Sequence, residues 1–153
     1  MKKKELISLH QGINQLGSLS GVKFAYAITR NISYLKPEIE ALEKSITPTE
    51  EYKAFDNLRV KLLEKHAEKG KDGKAVITNN NYAIEDQVGF DKAFEKLKKE
   101  HKGVFEAREK QIKDYLALLD EEATVSFHKI KQEDIPANIT VAQMNVISPL
   151  IEE

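Results

Sequence analysis

The chain of 153 residues is 41% hydrophobic and 32% charged, with only seven glycines and four prolines, so it can bury a core and favours long solvated helices over disorder. Its 24 basic and 25 acidic residues leave a net charge of −1, which argues against nucleic acid or an anionic membrane as partner, and the absence of cysteine excludes disulfides, thiolate zinc sites and thiol catalysis. No apolar run approaches the roughly 18 residues of a bilayer span, and no apolar stretch succeeds the basic start Lys2-Lys3-Lys4, so neither a transmembrane segment nor a signal peptide is expected.

Leu6, Leu9, Ile13 and Leu16 recur at spacings of three and four and predict a first helix, with Gly17 placed to end it in a left-handed cap. From Phe24 a second stripe runs through Ile28, Ile32, Leu35, Ile39, Leu42 and Ile46. Pro37 falls inside it, either kinking one helix or opening a new one, and the unbroken phase favours a single kinked helix. Thr47-Pro48-Thr49-Glu50 reads as a capping box with Thr47 as the cap, starting a helix over residues 48–69 that ends at Gly70.

Residues 70–86 change character. Ala75-Val76-Ile77-Thr78 and Tyr82-Ala83-Ile84 flank an asparagine turn, a small β-hairpin, and Asp86 is placed to cap the next helix. The hairpin is too small to stand alone and must dock on something. Phe90, Phe94, Leu97, His101, Phe105, Ile112, Tyr115 and Leu119 then hold helical phase across residues 88–120. Two such helices predict an antiparallel stalk of roughly 33–48 Å, with more apolar stripe than a slender hairpin can cover. Glu121 to Ile130 alternates as a strand, with Ala123, Val125 and Phe127 on one side. Thr140-Val141-Ala142-Gln143 is a second capping box, with Ile139 and Met144 at staple positions, and predicts a short helix stopped by Ser148-Pro149. The expected fold is a single, mainly α domain over residues 1–153 with minor β structure.

Chemistry is sparse. His10, His66, His101 and His128 lie on different predicted elements without metal-ligand spacing, and no metal or cofactor is expected. His101 reads as a core-edge residue satisfied by a carboxylate of the facing helix, and His128 as a structural residue first, with a pocket role as the alternative because a strand face there can line one. Lys69-Gly70-Lys71-Asp72-Gly73-Lys74 lacks the spacing and following helix of a phosphate loop and reads as a solvated turn. Asp120-Glu121-Glu122 puts negative charge at the unfavourable end of a helix, where it frays the helix into the strand or else marks a partner site or a metal. No nucleophile elbow occurs, so no catalytic residue is assigned. The least periodic stretch is residues 21–31, where Lys23, Tyr26, Arg30 and Asn31 form a polar, anion-tolerant patch at a helix start, or simply the exposed side of a core helix.

The order of features has a counterpart. The run Val22-Lys23-Phe24 through Ile28, Asn31 and Leu35 to Pro37 precedes a charged helix ending Glu64-Lys65-His66-Ala67-Glu68-Lys69. Asp72-Gly73 comes next, then a second long helix, Leu118-Leu119-Asp120-Glu121-Glu122, His128-Lys129-Ile130 and Ile139-Thr140-Val141-Ala142-Gln143-Met144. Together they resemble a family of short phage and prophage proteins of Gram-positive bacteria that has no assigned function. The resemblance implies phage origin and a place in the host cytoplasm, and brings no functional residues with it.

The expectation is therefore a non-enzymatic, homo-oligomeric phage accessory protein that binds and neutralises a host factor or sequesters a small anionic defence signal. Lys23, Tyr26, Arg30 and His128 are its candidate binding residues. A virion-assembly or scaffold component and a metal-dependent nucleotide hydrolase are the alternatives.

Overall fold

In the computed structural model, which describes residues 1–152, the chain is mainly helical with one small antiparallel sheet. In order it forms α1 (Lys3–Ile13), α2 (Val22–Ile46), α3 (Glu50–His66), β1 (Ile77–Thr78), β2 (Asn81–Tyr82), α4 (Gln87–Glu100), α5 (Lys102–Leu119) and α6 (Val141–Ile147), with single 3₁₀ turns at Gln132–Asp134 and Ser148–Leu150. Two compact units result: Met1–Ile46 with the residues from Lys113 onward, and Thr47–Ile112.

The first unit is built on the two predicted stripes. Leu6, Leu9, Ile13 and Leu16 bury against Phe24, Ala27, Ile28, Leu35 and Ile39 of α2, and Ile130, Ile147 and Leu150 close the core. Each such large side chain contributes about 1.5–3 kcal/mol on leaving water. The α2 helix runs unbroken past Pro37. Helix α1 ends before Leu16, which is buried from a following turn, and the left-handed glycine is Gly21 (φ 132°) rather than the predicted Gly17. Helix α6 packs on α1 where Gly12 leaves room, since a Cβ there would lie 2.7 Å from Val146 Cγ1. The capping box of α6 forms as predicted, Thr140 Oγ1 accepting from the Gln143 amide at 3.2 Å and Gln143 Oε1 from the Thr140 amide at 3.0 Å.

The acidic run at the end of α5 meets the basic start of the chain. Lys2 and Lys4 reach Asp120 at 3.2 and 2.8 Å, Lys3 reaches Glu121 at 2.7 Å, and the Met1 amine reaches Glu122 at 2.8 Å. Backbone bonds from Lys3 to the Glu121 carbonyl and from Ala123 to the Met1 carbonyl, both 2.9 Å, fix the register. Hydrogen bonds from Lys4 and Lys2 hold the Asp120 carboxyl below its usual range, and the Met1 amine does the same for Glu122.

Residues 123–129 differ from the strand expected there. They keep the alternation, with Ala123, Val125 and Phe127 against the core and Thr124 and Ser126 exposed. Ladder pairing, however, is confined to single bridges at the two ends, Lys2 with Glu122 and Ile130 with Ile151. At His128 a side chain stands where a neighbouring strand would: Asn31 of α2.

In the second unit α3 packs antiparallel on α4, Phe55 lying near Phe94 and His66 near Phe90. The cap of α3 is Thr49, accepting from the Tyr52 amide at 3.2 Å, two residues beyond the predicted Thr47, so Pro48 precedes the helix. The helix stops at His66, short of Gly70, because residues 67–69 turn extended and pair with the hairpin through Val76 N to Glu68 O at 2.9 Å and Glu68 N to Ala83 O at 2.7 Å. That is the docking the hairpin needs. Its turn is Asn79 (φ 50°) and Asn80 (φ 61°), both in the left-handed region asparagine tolerates, as a two-residue loop demands. Asp86 caps α4 as predicted, accepting from Gly89 N at 2.9 Å; that bond and His66 Nδ1 at 3.1 Å lower its pKa.

The long helix predicted over residues 88–120 is two helices. His101 leaves helical geometry (φ −115°, ψ 30°), and α5 begins at the next residue. Phe55 explains the break. Its ring lies 6.5 Å from Phe94, 5.8 Å from His101 and 5.9 Å from Phe105, centroid to centroid. In a straight helix residues 94 and 105 stand about 16 Å apart along the axis and cannot both reach one ring. Bending at His101 brings them together, and His101 itself packs on that ring rather than pairing with a facing carboxylate.

Candidate functional site

A cleft lies in the first unit, where the start of α2 meets residues 128–134. Asn31 prepares it. This side chain is fully buried, not part of a solvent-facing patch as the sequence suggested. Its Nδ2 donates to the His128 carbonyl and its Oδ1 accepts from the His128 amide, both at 2.9 Å. One amide thus satisfies both backbone groups of His128, which a buried chain must do somewhere, and fixes the segment beside α2.

With His128 held, its ring meets Tyr26 edge-on, centroids 5.6 Å apart and planes at 85°. Tyr26 remains 55% exposed and offers ring surface to anything entering. These two rings, with buried Ala27 and Ile130, bound a cleft of about 510 Å³, within the range of small-molecule sites. Lys23, Lys129 and Lys131 line it, against Asp134 and Glu152. Lys23 Nζ pairs with Asp134 at 3.3 Å, and Lys129 Nζ donates to the Pro149 carbonyl at 3.2 Å. Helix α2 carries no acid in its first turn, so none of its own carboxylates offsets the positive end of its dipole at Val22 and Lys23. The lining can therefore receive negative charge, a flat ring, and hydrogen-bond donors for the two carboxylates.

Of the four residues singled out from sequence, Lys23, Tyr26 and His128 line this one cleft and Arg30 does not. Arg30 lies one turn further along α2. Its guanidinium stands 6.0 Å from the Tyr26 ring centroid and 5.1 Å from that of Tyr34, and it donates to the Tyr34 hydroxyl. Among the described residues no carboxylate pairs with it. Beyond Arg30 a second groove of about 550 Å³ runs between Ser33, Tyr34, Pro37 and Glu38 of α2 and residues 125–128. Sequence reasoning missed Lys129, Lys131, Asp134 and Glu152. Nothing in their spacing signals that a segment a hundred residues on returns to the start of α2.

The remaining histidines are dispersed: His10 beside Asn14, His66 on Asp86, His101 on Phe55. Among the described residues no three histidine, aspartate or glutamate side chains are grouped to hold a metal ion, and no helix is long and apolar enough to cross a membrane. The second unit has a smaller cleft of about 370 Å³ by Tyr52 and Arg108, which lie in cation–π contact at 5.4 Å. No family model, no curated protein and no solved structure matches this chain.

Proposed function

We propose that the protein is a non-enzymatic binding protein that sequesters a small anionic ligand in the cleft at the start of α2. The observation that carries this reading is the convergence of Lys23, Lys129 and Lys131 with the Tyr26 and His128 rings over the buried floor of Ala27 and Ile130. A wall fixed through Asn31 before the ligand arrives lowers the ordering cost of binding, which suits a protein that captures and holds. The resemblance to short phage proteins gives such capture a purpose, the withdrawal of a host defence signal from the cytoplasm.

Self-association belongs to the same proposal. Among the described residues of the second unit, Phe55, Ala67 and Leu97 are the only buried apolar side chains, while Leu58, Ile77 and Val88 are exposed, and a second copy is the partner proposed to cover them. Native mass spectrometry of protein purified from an expressing bacterium tests both parts. The expected spectrum is a discrete oligomer carrying extra mass that Lys23→Ala and His128→Ala variants lose. A bare 17.4 kDa monomer refutes the proposal.

A further inference from the structure

Resting on that cleft reading, we infer that the ligand is a dinucleotide-sized phosphoester, with a base against Tyr26 and His128, one phosphate among the cleft lysines and a second anionic group on Arg30. A guanidinium in a chain with 25 acidic residues ordinarily finds one of them, yet this one rests on two tyrosine rings and a tyrosine hydroxyl, its remaining donors unengaged by carboxylate among the described residues. Stacked and pre-oriented, it loses little freedom on meeting a phosphate, the geometry for which arginine is better suited than lysine.

Spacing then sets the size of the ligand. Lys23 and Arg30 are seven residues apart, which places them on one face of α2 about two turns, or roughly 10 Å, from each other. Tyr26 lies between them and is shared, its ring forming the cleft wall with His128 and also facing the Arg30 guanidinium. Arg30 cannot swing toward the cleft lysines without surrendering Tyr34. A single phosphate therefore does not engage both cationic ends, whereas two anionic groups joined through a ring-bearing body do. Asp134 and Glu152 fit the same ligand as acceptors for sugar hydroxyls or exocyclic amino groups.

Isothermal titration of the full chain with AMP and with the 5′-phosphorylated linear dinucleotide pApA tests this. The expected result is that pApA binds about tenfold or more tighter than AMP. Arg30→Ala should bring pApA down to the AMP level with the melting temperature unchanged, and Tyr34→Phe, which frees the guanidinium, should lose part of the same preference. Equal affinity for the two nucleotides, or a preference that survives Arg30→Ala, overturns the inference and leaves the cleft reading standing. Failure of both to bind also overturns it; the cleft reading is then decided separately by the ligand mass in the native spectrum, which requires no nucleotide.

Discussion

Phe55 is the residue on which the second unit turns, and replacing it by alanine is the sharpest test of how that unit packs. The side chain is 1% exposed and touches rings from three helices: Tyr52 on its own helix at 5.7 Å, Phe94 of α4, Phe105 of α5, and His101 between them. Phenylalanine-to-alanine changes in cores cost about 3–5 kcal/mol in transfer and cavity terms. Ring pairs of this geometry add about 0.5–1.5 kcal/mol each, though not additively. With Ala67 and Leu97 the only other buried apolar residues among those described in this unit, the upper part of that range, about 4–5 kcal/mol, is expected. Urea titration of the full chain followed by circular dichroism measures the loss, and hydrogen exchange locates it: amides of α3 and α4 should lose protection before those of α1. Phe55→Leu, which keeps most of the apolar volume, should cost about 1–2 kcal/mol. A loss for Phe55→Ala below about 1 kcal/mol, or protection lost first in α1, refutes the account of the break at His101 as a bend around this ring.

Other outcomes depend on single contacts. Asn31→Leu leaves the part-buried His128 amide and carbonyl without their Asn31 partners and should cost about 1–3 kcal/mol in denaturant titration while abolishing ligand capture. Gly12→Ala should destabilise by about 1–3 kcal/mol despite its better helix propensity, because the new Cβ meets a stiff β-branched neighbour; adding Val146→Ala should recover part of the loss, and an unaffected single variant argues against the α1–α6 approach. Thr49→Ala should cost about 1 kcal/mol through loss of the α3 cap. Asp120 and Glu122 have pKa values lowered in the fold, so what they contribute is complete above their unfolded values of 3.8 and 4.5 and disappears as pH falls below them through the folded values. The melting temperature should drop across that acidic window, less steeply in Asp120→Asn and in high salt.

The elements most legible in sequence are those whose signal is local and chemical. Helix α6 follows from one capping box, the hairpin from two asparagines that accept positive φ, and α2 from a phase that Pro37 does not interrupt. What eluded the sequence depends on partners. Periodicity is insensitive to a one-residue departure, so His101 passes for helix. Thr47 and Thr49 are equally able to cap, and only the fold chooses between them. Alternation at residues 123–127 tells which side chains face inward but not whether another backbone lies alongside. For the site, residue type pointed to Lys23, Tyr26 and His128, whereas the cleft lysines at 129 and 131 become visible only once Asn31 has drawn that segment to α2.

The clasp between Lys2–Lys4 and residues 120–122 also bears on the order of events during synthesis. The second unit is one contiguous segment, so it can collapse as soon as Ile112 has left the ribosome. The first unit has to wait, because its opening helix finds its acidic partners and Ile130, Ile147 and Leu150 only after the intervening 66-residue insertion is made. Closing so long a loop is cheaper once the insertion has condensed and its ends are no longer free to wander. On a nascent chain the hairpin unit can therefore condense before the cleft at the start of α2, whose lining comes from residues 22–27 and 128–152, is assembled.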